Sequence, residues 1–252
     1  MSSAPIAAAA APDPVPADVG APRASSAQDP RERALVAGSL ITQLMIVLDM
    51  TIIAVVLPRM QEDLGLTPSQ RPWAITAYTL ANGGLVLLGG RLTAVIGVRR
   101  SYWLGQAGFA TASLIAGTAT SFPVLVTART AQGAFAALLG PTTLSLLNSA
   151  FPAGPRRRRV FALFGATGGV GAAAGLLIGG ALTDWLSWRW SLYVNAPIAL
   201  IGFLVGLRGL PASSPRRDGP ALPDLPGLIL GCAACFSAVF GLDRAEQTSW
   251  GS

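Results

Sequence analysis

The chain has 252 residues, of which 52% are apolar and 12% charged, about half the charged share of a soluble domain. With a mean hydropathy of +0.53 it is neither an ordinary water-soluble globule nor a wholly disordered chain. Histidine is absent and all 18 basic residues are arginine, which excludes a His-based catalytic triad and a Cys/His zinc site. The chain is read as no enzyme, with no metal and no cofactor.

Residues 1–33 are expected to be a disordered cytoplasmic tail. The first 30 contain ten alanines and six prolines, too little to build a core and too much proline for a helix. No basic segment precedes the alanine run, which proline interrupts, so a signal peptide is not expected. From residue 34 onward, uncharged apolar stretches alternate with short charged ones. A membrane-spanning helix needs roughly 20 mostly apolar residues. The stretches predict seven such helices, at 34–57, 72–90, 102–120, 124–148, 160–182, 190–208 and 225–243. Buried helices of a large soluble protein are the alternative, but seven in succession with so few polar positions argue against it. The expected fold is an all-α polytopic membrane protein. A six-helix bundle (34–208) is followed by a cytoplasmic linker (209–224), then a seventh helix with its outer end (225–252).

The arginines set the orientation. With the N-terminus inside, the cytoplasmic segments hold thirteen of them (Arg23, Arg31, Arg33, Arg91, Arg99, Arg100, Arg156 to Arg159, Arg208, Arg216 and Arg217). The outer segments hold four, Arg59, Arg71, Arg189 and Arg244. Such a bias predicts a multi-pass inner-membrane protein with a cytoplasmic N-terminus. It also removes the nucleic-acid reading that the net charge of +6 invites, because the Arg156–Arg159 run serves as a topology anchor. Trp185, Trp188 and Trp190 fall where an aromatic belt belongs, at the outer ends of helices 5 and 6.

Two ionisable residues lie within the spans, Asp49 and Arg129. Either costs about 2.5–3.5 kcal/mol at a helix centre, so a functional path for protons or substrate is the first reading. A buried ion pair that only fixes packing is the second. Helix 1 is expected to end near Pro58 and helix 4 to begin near Pro123. This places Asp49 about 13 Å and Arg129 about 9 Å from the outer helix ends. The two are therefore expected to face each other across an aqueous cleft in the outer half. Competition between a proton and a cationic substrate for Asp49 would couple their movements. Gln132 and Gly133 follow Arg129 on the same helical face, as suits a cavity wall or a tight crossing. Pro141 is expected to kink helix 4.

Helix 5 carries Gly171, Gly175 and Gly179, with Gly180 beside the last. Spacing by four makes a small-residue stripe on which another backbone can approach closely. A phosphate-binding loop is rejected because the G-x-G-x-x-G spacing and a preceding strand are missing. Cys232 and Cys235 in helix 7 are read as small packing residues, without redox or metal chemistry.

These motifs together resemble those of the major facilitator superfamily, in particular the N-terminal half of fourteen-helix drug:proton antiporters. Helix 1 reads LDMTIIAVVLP (Leu48–Pro58), and helix 4 carries R-x-x-Q-G at Arg129, Gln132 and Gly133. Helix 5 carries G-x-x-x-G-x-x-x-G-G from Gly171 to Gly180, followed by WRWSLYVNAP (Trp188–Pro197). The resemblance implies a proton-coupled exporter of small amphiphilic or cationic compounds, with coupling residues Asp49, Arg129 and Gln132. It implies a gating loop formed by Gly90, Arg91, Gly97, Arg99 and Arg100, and an antiporter packing motif of Gly133, Gly171, Gly175, Gly179 and Gly180. Ala94 and Val95 stand where the loop's acidic residue and an arginine belong, and Leu176 replaces the helix-5 proline, leaving that helix straighter. Seven spans supply one half of such a transporter plus one extra helix. The implied partners are protons, a small-molecule substrate, the lipid bilayer, and a C-terminal half or a second chain. A truncated, non-transporting membrane protein is the alternative.

Overall fold

A computed structural model describes residues 29–210 and 225–247, so most of the expected tail and linker lie outside the described residues. The chain is all-helical there: α1 (Pro30–Leu64), α2 (Trp73–Ile96), α3 (Val98–Gly117), α4 (Phe122–Ala150), α5 (Pro155–Trp185), α6 (Trp188–Tyr193), α7 (Asn195–Gly209) and α8 (Leu225–Gln247). Among the described residues, five segments are long and apolar enough to cross a membrane: α1, α2, α4, α5, and α6 with α7 taken together. The protein is a polytopic, multi-pass membrane protein. Helix α3 is less apolar because its polar residues point inward: Ser101, Gln106 and Ser113 are buried within the bundle. The surface carries the opposite chemistry, with Val170 and Leu177 on α5 at 61% and 76% exposure.

Helix boundaries follow local chemistry. The Asp29 side chain accepts from the Arg31 amide at 3.0 Å and Pro30 opens the first turn of α1, both favourable at a helix start. Contrary to expectation, α1 does not stop at Pro58 but continues to Leu64. Leu57 and Met60, on either side of the proline, are both buried, and this burial offsets the one helical hydrogen bond a proline removes. Gly65 then ends the helix at φ 63°, a left-handed conformation that glycine adopts at little cost. The expected loop between helices 2 and 3 is reduced to one residue, Gly97 at φ 90°. Gly90 and Arg91 therefore lie on α2, and Arg99 and Arg100 on α3. The stretch RLTAVI continues the α2 helix until glycine permits the turn. Helix α4 runs unbroken through Pro141. The expected sixth span divides at Val194 into α6 and α7, where Pro197 lacks the amide that would have bonded Tyr193.

Helix α1 is the hub, packing on α4, α5 and α7. Against α5 the contact is nearly backbone to backbone. A Cβ on Gly175 would meet the Leu48 carbonyl at 2.9 Å and collide with Thr51 Oγ1, and one on Gly179 would meet Ile52 Cγ1 at 2.8 Å. Gly171 lies against Leu44 and Val47, whereas Gly180 faces away, with nothing within 4 Å of its Cβ position. On the other flank a Cβ on Gly38 would lie 3.8 Å from the Gly206 Cα. The interior consists of two apolar clusters. One contains Met45, Tyr102, Phe109, Leu139 and Leu147; the other contains Ile53, Val56, Met60, Leu125 and Leu192. Along α1, Asp49 falls between them.

The tight α1–α5 seam makes a paired prediction. Gly175→Val should destabilise the detergent-solubilised chain by about 1–3 kcal/mol through overpacking, read as a lower thermal midpoint. Gly180→Ala should leave the midpoint unchanged or raise it, since alanine favours the helix by about 1 kcal/mol.

Candidate functional site

Between the two apolar clusters lies a compact polar cluster built from five helices. Asp49 and Arg129 are 0% and 1% exposed. Arg129 Nη1 donates to Asp49 Oδ2 at 2.6 Å and to Gln132 Oε1 at 3.0 Å. Its Nε donates to the Ala74 carbonyl on α2 at 2.9 Å, and the guanidinium lies 4.6 Å from the centroid of the Tyr78 ring. Gln132 Nε2 donates to Asp49 Oδ1 at 3.1 Å and to Ser113 Oγ on α3 at 2.6 Å. Asn195 Nδ2, at the start of α7, donates to Asp49 Oδ1 at 2.6 Å.

Each part has a local cause. Gln132 lies three residues after Arg129, one turn along the same face, so both reach Asp49 from α4. Next to them Gly133 lets α2 cross closely: its Cβ would overlap the Tyr78 carbonyl and meet Ala81 Cβ at 2.9 Å. That close crossing brings the Tyr78 ring and the Ala74 carbonyl under the guanidinium. The division at Val194 starts α7 at a buried asparagine, aimed at the carboxylate. Charged and amide donors thus replace the water that Asp49 loses on entering a low-dielectric interior, and the Ala74 and Gln132 carbonyls accept from Arg129 in place of its water.

Asp49, Arg129 and Gln132 are brought together. The expected aqueous cleft between Asp49 and Arg129 is absent among the described residues; they are in direct contact and sealed from solvent. Because α1 extends past Pro58, Asp49 sits near the middle of its helix rather than toward one end. Asn195, Ser113 and Tyr78 complete the cluster but are uncharged, so the isolated charges in the sequence do not point to them. A buried amide or hydroxyl in a span was the available signal. A second neutral cluster lies toward the Leu35 end of α1, where Gln106 Nε2 donates to Thr42 Oγ1 at 2.6 Å and Tyr102 Oη donates to the Gly202 carbonyl at 2.9 Å.

Other sequence-selected residues lie apart from this cluster. Gly90 and Gly97, with Arg91, Arg99 and Arg100, occupy the α2–α3 junction; Arg91 and Arg100 are exposed. Trp185 and Trp190 are exposed as an aromatic belt requires, but Trp188 is buried. Its indole donates to Asp63 Oδ2 at 3.0 Å, and Arg189 lies over its ring while bonding Asp63 and the carbonyls of Gly117 and Ala119. This polar staple joining α1, α3 and α6 draws Trp188 inward. Cys232 and Cys235 are free thiols on α8.

The sealed pair makes a stability prediction. Arg129→Leu should cost about 3–5 kcal/mol because it strands a buried carboxylate. Adding Asp49→Leu should recover most of that loss. Thermal unfolding of the two single variants and the double variant forms the cycle that checks it.

The sequence profile described as the Major Facilitator Superfamily matches residues 39–243. The puromycin resistance protein of Streptomyces alboniger is 48% identical over 213 residues, covering 84% of this chain and 42% of the relative. The cephamycin export protein of Amycolatopsis lactamdurans is 40% identical over 82% of this chain and 43% of its own length. The tetracenomycin C resistance and export protein of Streptomyces glaucescens is 33% identical over 82% and 38%. The chain thus spans roughly two-fifths of the length of these relatives. Its motifs, its helical bundle and the extent of the match together make it a member of the Major Facilitator Superfamily.

Proposed function

We propose that this chain forms the N-terminal half of a proton-coupled exporter of small amphiphilic or cationic compounds, with one additional helix, in the bacterial inner membrane. The observation that carries this reading is the sealed Asp49–Arg129 pair, held by Gln132 and Asn195 at the meeting point of five helices. A carboxylate placed in the middle of a membrane bundle is a natural proton carrier. Protonation removes the charge that Arg129 pairs with, so Arg129 must find another acceptor or move. Its bond to the Ala74 carbonyl passes that demand to α2, and its bond to Gln132, which donates to Ser113, passes it to α3. The glycine seam between α1 and α5 presents few side-chain obstacles to a shift of α1. Relatives named for resistance to, or export of, puromycin, cephamycin and tetracenomycin C support small organic molecules as the cargo.

The arginine bias supports a cytoplasmic N-terminus and a cytoplasmic α2–α3 junction. There Gly90, Gly97, Arg91, Arg99 and Arg100 form the gate, and the rest of the transporter, or a second chain, supplies the opposite wall. One observation favours the alternative of a non-transporting membrane protein. Ala94 is exposed on α2 and offers this gate no acidic partner.

The experiment is efflux from an efflux-deficient bacterial host expressing the gene with its flanking coding sequence intact. Ethidium should leave the cells against its gradient, and dissipating the proton gradient should stop it. Asp49→Asn should reduce efflux to the empty-vector rate at equal membrane abundance. Wild-type rates in that variant would remove Asp49 from coupling. No efflux from a membrane-inserted wild type would favour the alternative.

A further inference from the structure

We propose that the groove between α2, α4 and α8 is a second ligand site, one that takes an uncharged, planar aromatic molecule from the bilayer. It deepens the exporter reading by naming a class of compound the protein binds. The cavity measures about 390 Å³, within the range that accommodates small organic ligands. Trp73, Ala77, Ala81, Thr130, Cys232 and Phe236 are among the residues that line it, and none of the lining residues is charged. An ion entering so apolar a space would lose its hydration without gaining a counter-charge, so the occupant is neutral. Its shape comes from α2. Ala77, Ala81 and Gly84 leave room along the α2 wall beside Leu80 and Leu85, while Trp73 and Phe236 contribute aromatic rings. A slot with rings on both sides suits a ring system, which stacks on them, better than a flexible chain. The side toward Leu87 is closed, because α8 rests on α2 there: Phe236 lies 3.4 Å from the Cβ position of Gly84, and Leu87 lies 3.0 Å from that of Gly231.

The slot and the buried charge cluster stand back to back. Trp73 precedes Ala74, whose carbonyl accepts from Arg129, and Thr130 follows Arg129 in the chain. Ala77 and Ala81 flank Tyr78, whose ring lies beneath the guanidinium. A molecule in the slot therefore presses on the outside of the wall that holds the ion pair on its inside.

Cys232 supplies the probe. The 252-residue chain carrying Cys235→Ser keeps one thiol and is placed in phosphatidylcholine nanodiscs, where N-ethylmaleimide alkylation is timed with and without Nile red, an uncharged planar dye. Nile red at ten times its dissociation constant should slow the reaction about tenfold by mass action. Val126→Trp, which fills the slot from α4, should abolish that protection. Dye binding followed by fluorescence enhancement should be lost in the same variant, and this second measurement decides the matter where Cys232 reacts too slowly to time. Absence of binding, protection that survives Val126→Trp, or equal protection by palmitoyl lysophosphatidylcholine would overturn the proposal, the last by making the groove an acyl-chain cleft. None of these readouts needs transport. Normal binding in a protein that exports nothing would sink only the exporter reading, and active export without dye binding would sink only this one.

Discussion

The Asp49–Arg129 ion pair is the constraint around which the bundle is arranged. Neither ion can be tolerated alone in a low-dielectric interior, and attraction within the pair offsets their lost hydration only when the remaining hydrogen-bonding positions are also filled. Here they are filled from four further points: Gln132 on the same helix as Arg129, Asn195 on α7, the Ala74 carbonyl on α2 and, through Gln132, Ser113 on α3. The interior is therefore not a uniform apolar core. It is two apolar clusters with a polar layer between them, and that layer fixes the register of α1 against α4. An axial slip of one turn would put Met45 or Ile53 opposite the guanidinium and leave the carboxylate unpaired.

Away from this layer the packing follows another rule. In lipid there is no hydrophobic drive to bring helices together, so close contact must come from small residues and dispersion. The α1–α5 seam uses glycine for this, as do the approaches of Gly38 to Gly206 and of Gly133 to the Tyr78 carbonyl. Helix α1 is thus held by directional bonds at three levels, at Thr42, Asp49 and Asp63, and between them by close packing of Thr51 and Ile52 on the α5 glycines.

Much of this was legible in the sequence, and the exceptions have physical causes. Apolar runs located a helix at each expected position, five of them long and apolar enough to cross a membrane among the described residues, and two charges isolated in apolar surroundings singled out Asp49 and Arg129. The four-residue glycine spacing on α5 marked the face that packs on α1, though it could not tell Gly179 from its neighbour Gly180. Helix ends were harder to place. Proline and charge signalled an end for α1 at Pro58 and for α2 near Arg91, but burial of Met60 carries α1 onward and only Gly97 stops α2. Asn195 and Ser113 escaped because a neutral polar residue in a span is cheap enough to be common. Its importance lies in which neighbour it reaches, and that is set by the division at Val194 and the crossing of α3 with α4. Trp188 was misplaced for a similar reason, because its burial depends on Asp63, far away in the chain.

Gln132 is the member of the cluster best suited to answer a change in charge at Asp49. Its carbonyl oxygen accepts from Arg129, while its amide nitrogen donates to both Asp49 and Ser113. When Oδ2 takes up a proton it loses the charge that held Arg129, while Oδ1 can go on accepting from the amide. If the amide rotates by half a turn to present its oxygen to the new hydroxyl, its nitrogen turns toward Arg129, which cannot accept a hydrogen bond, so two donors face each other. The amide can therefore follow the proton only if Arg129 or α4 moves. In the proposed exporter, this conflict is what would convert a proton on α1 into displacement of α4 and, through the Ala74 carbonyl, of α2.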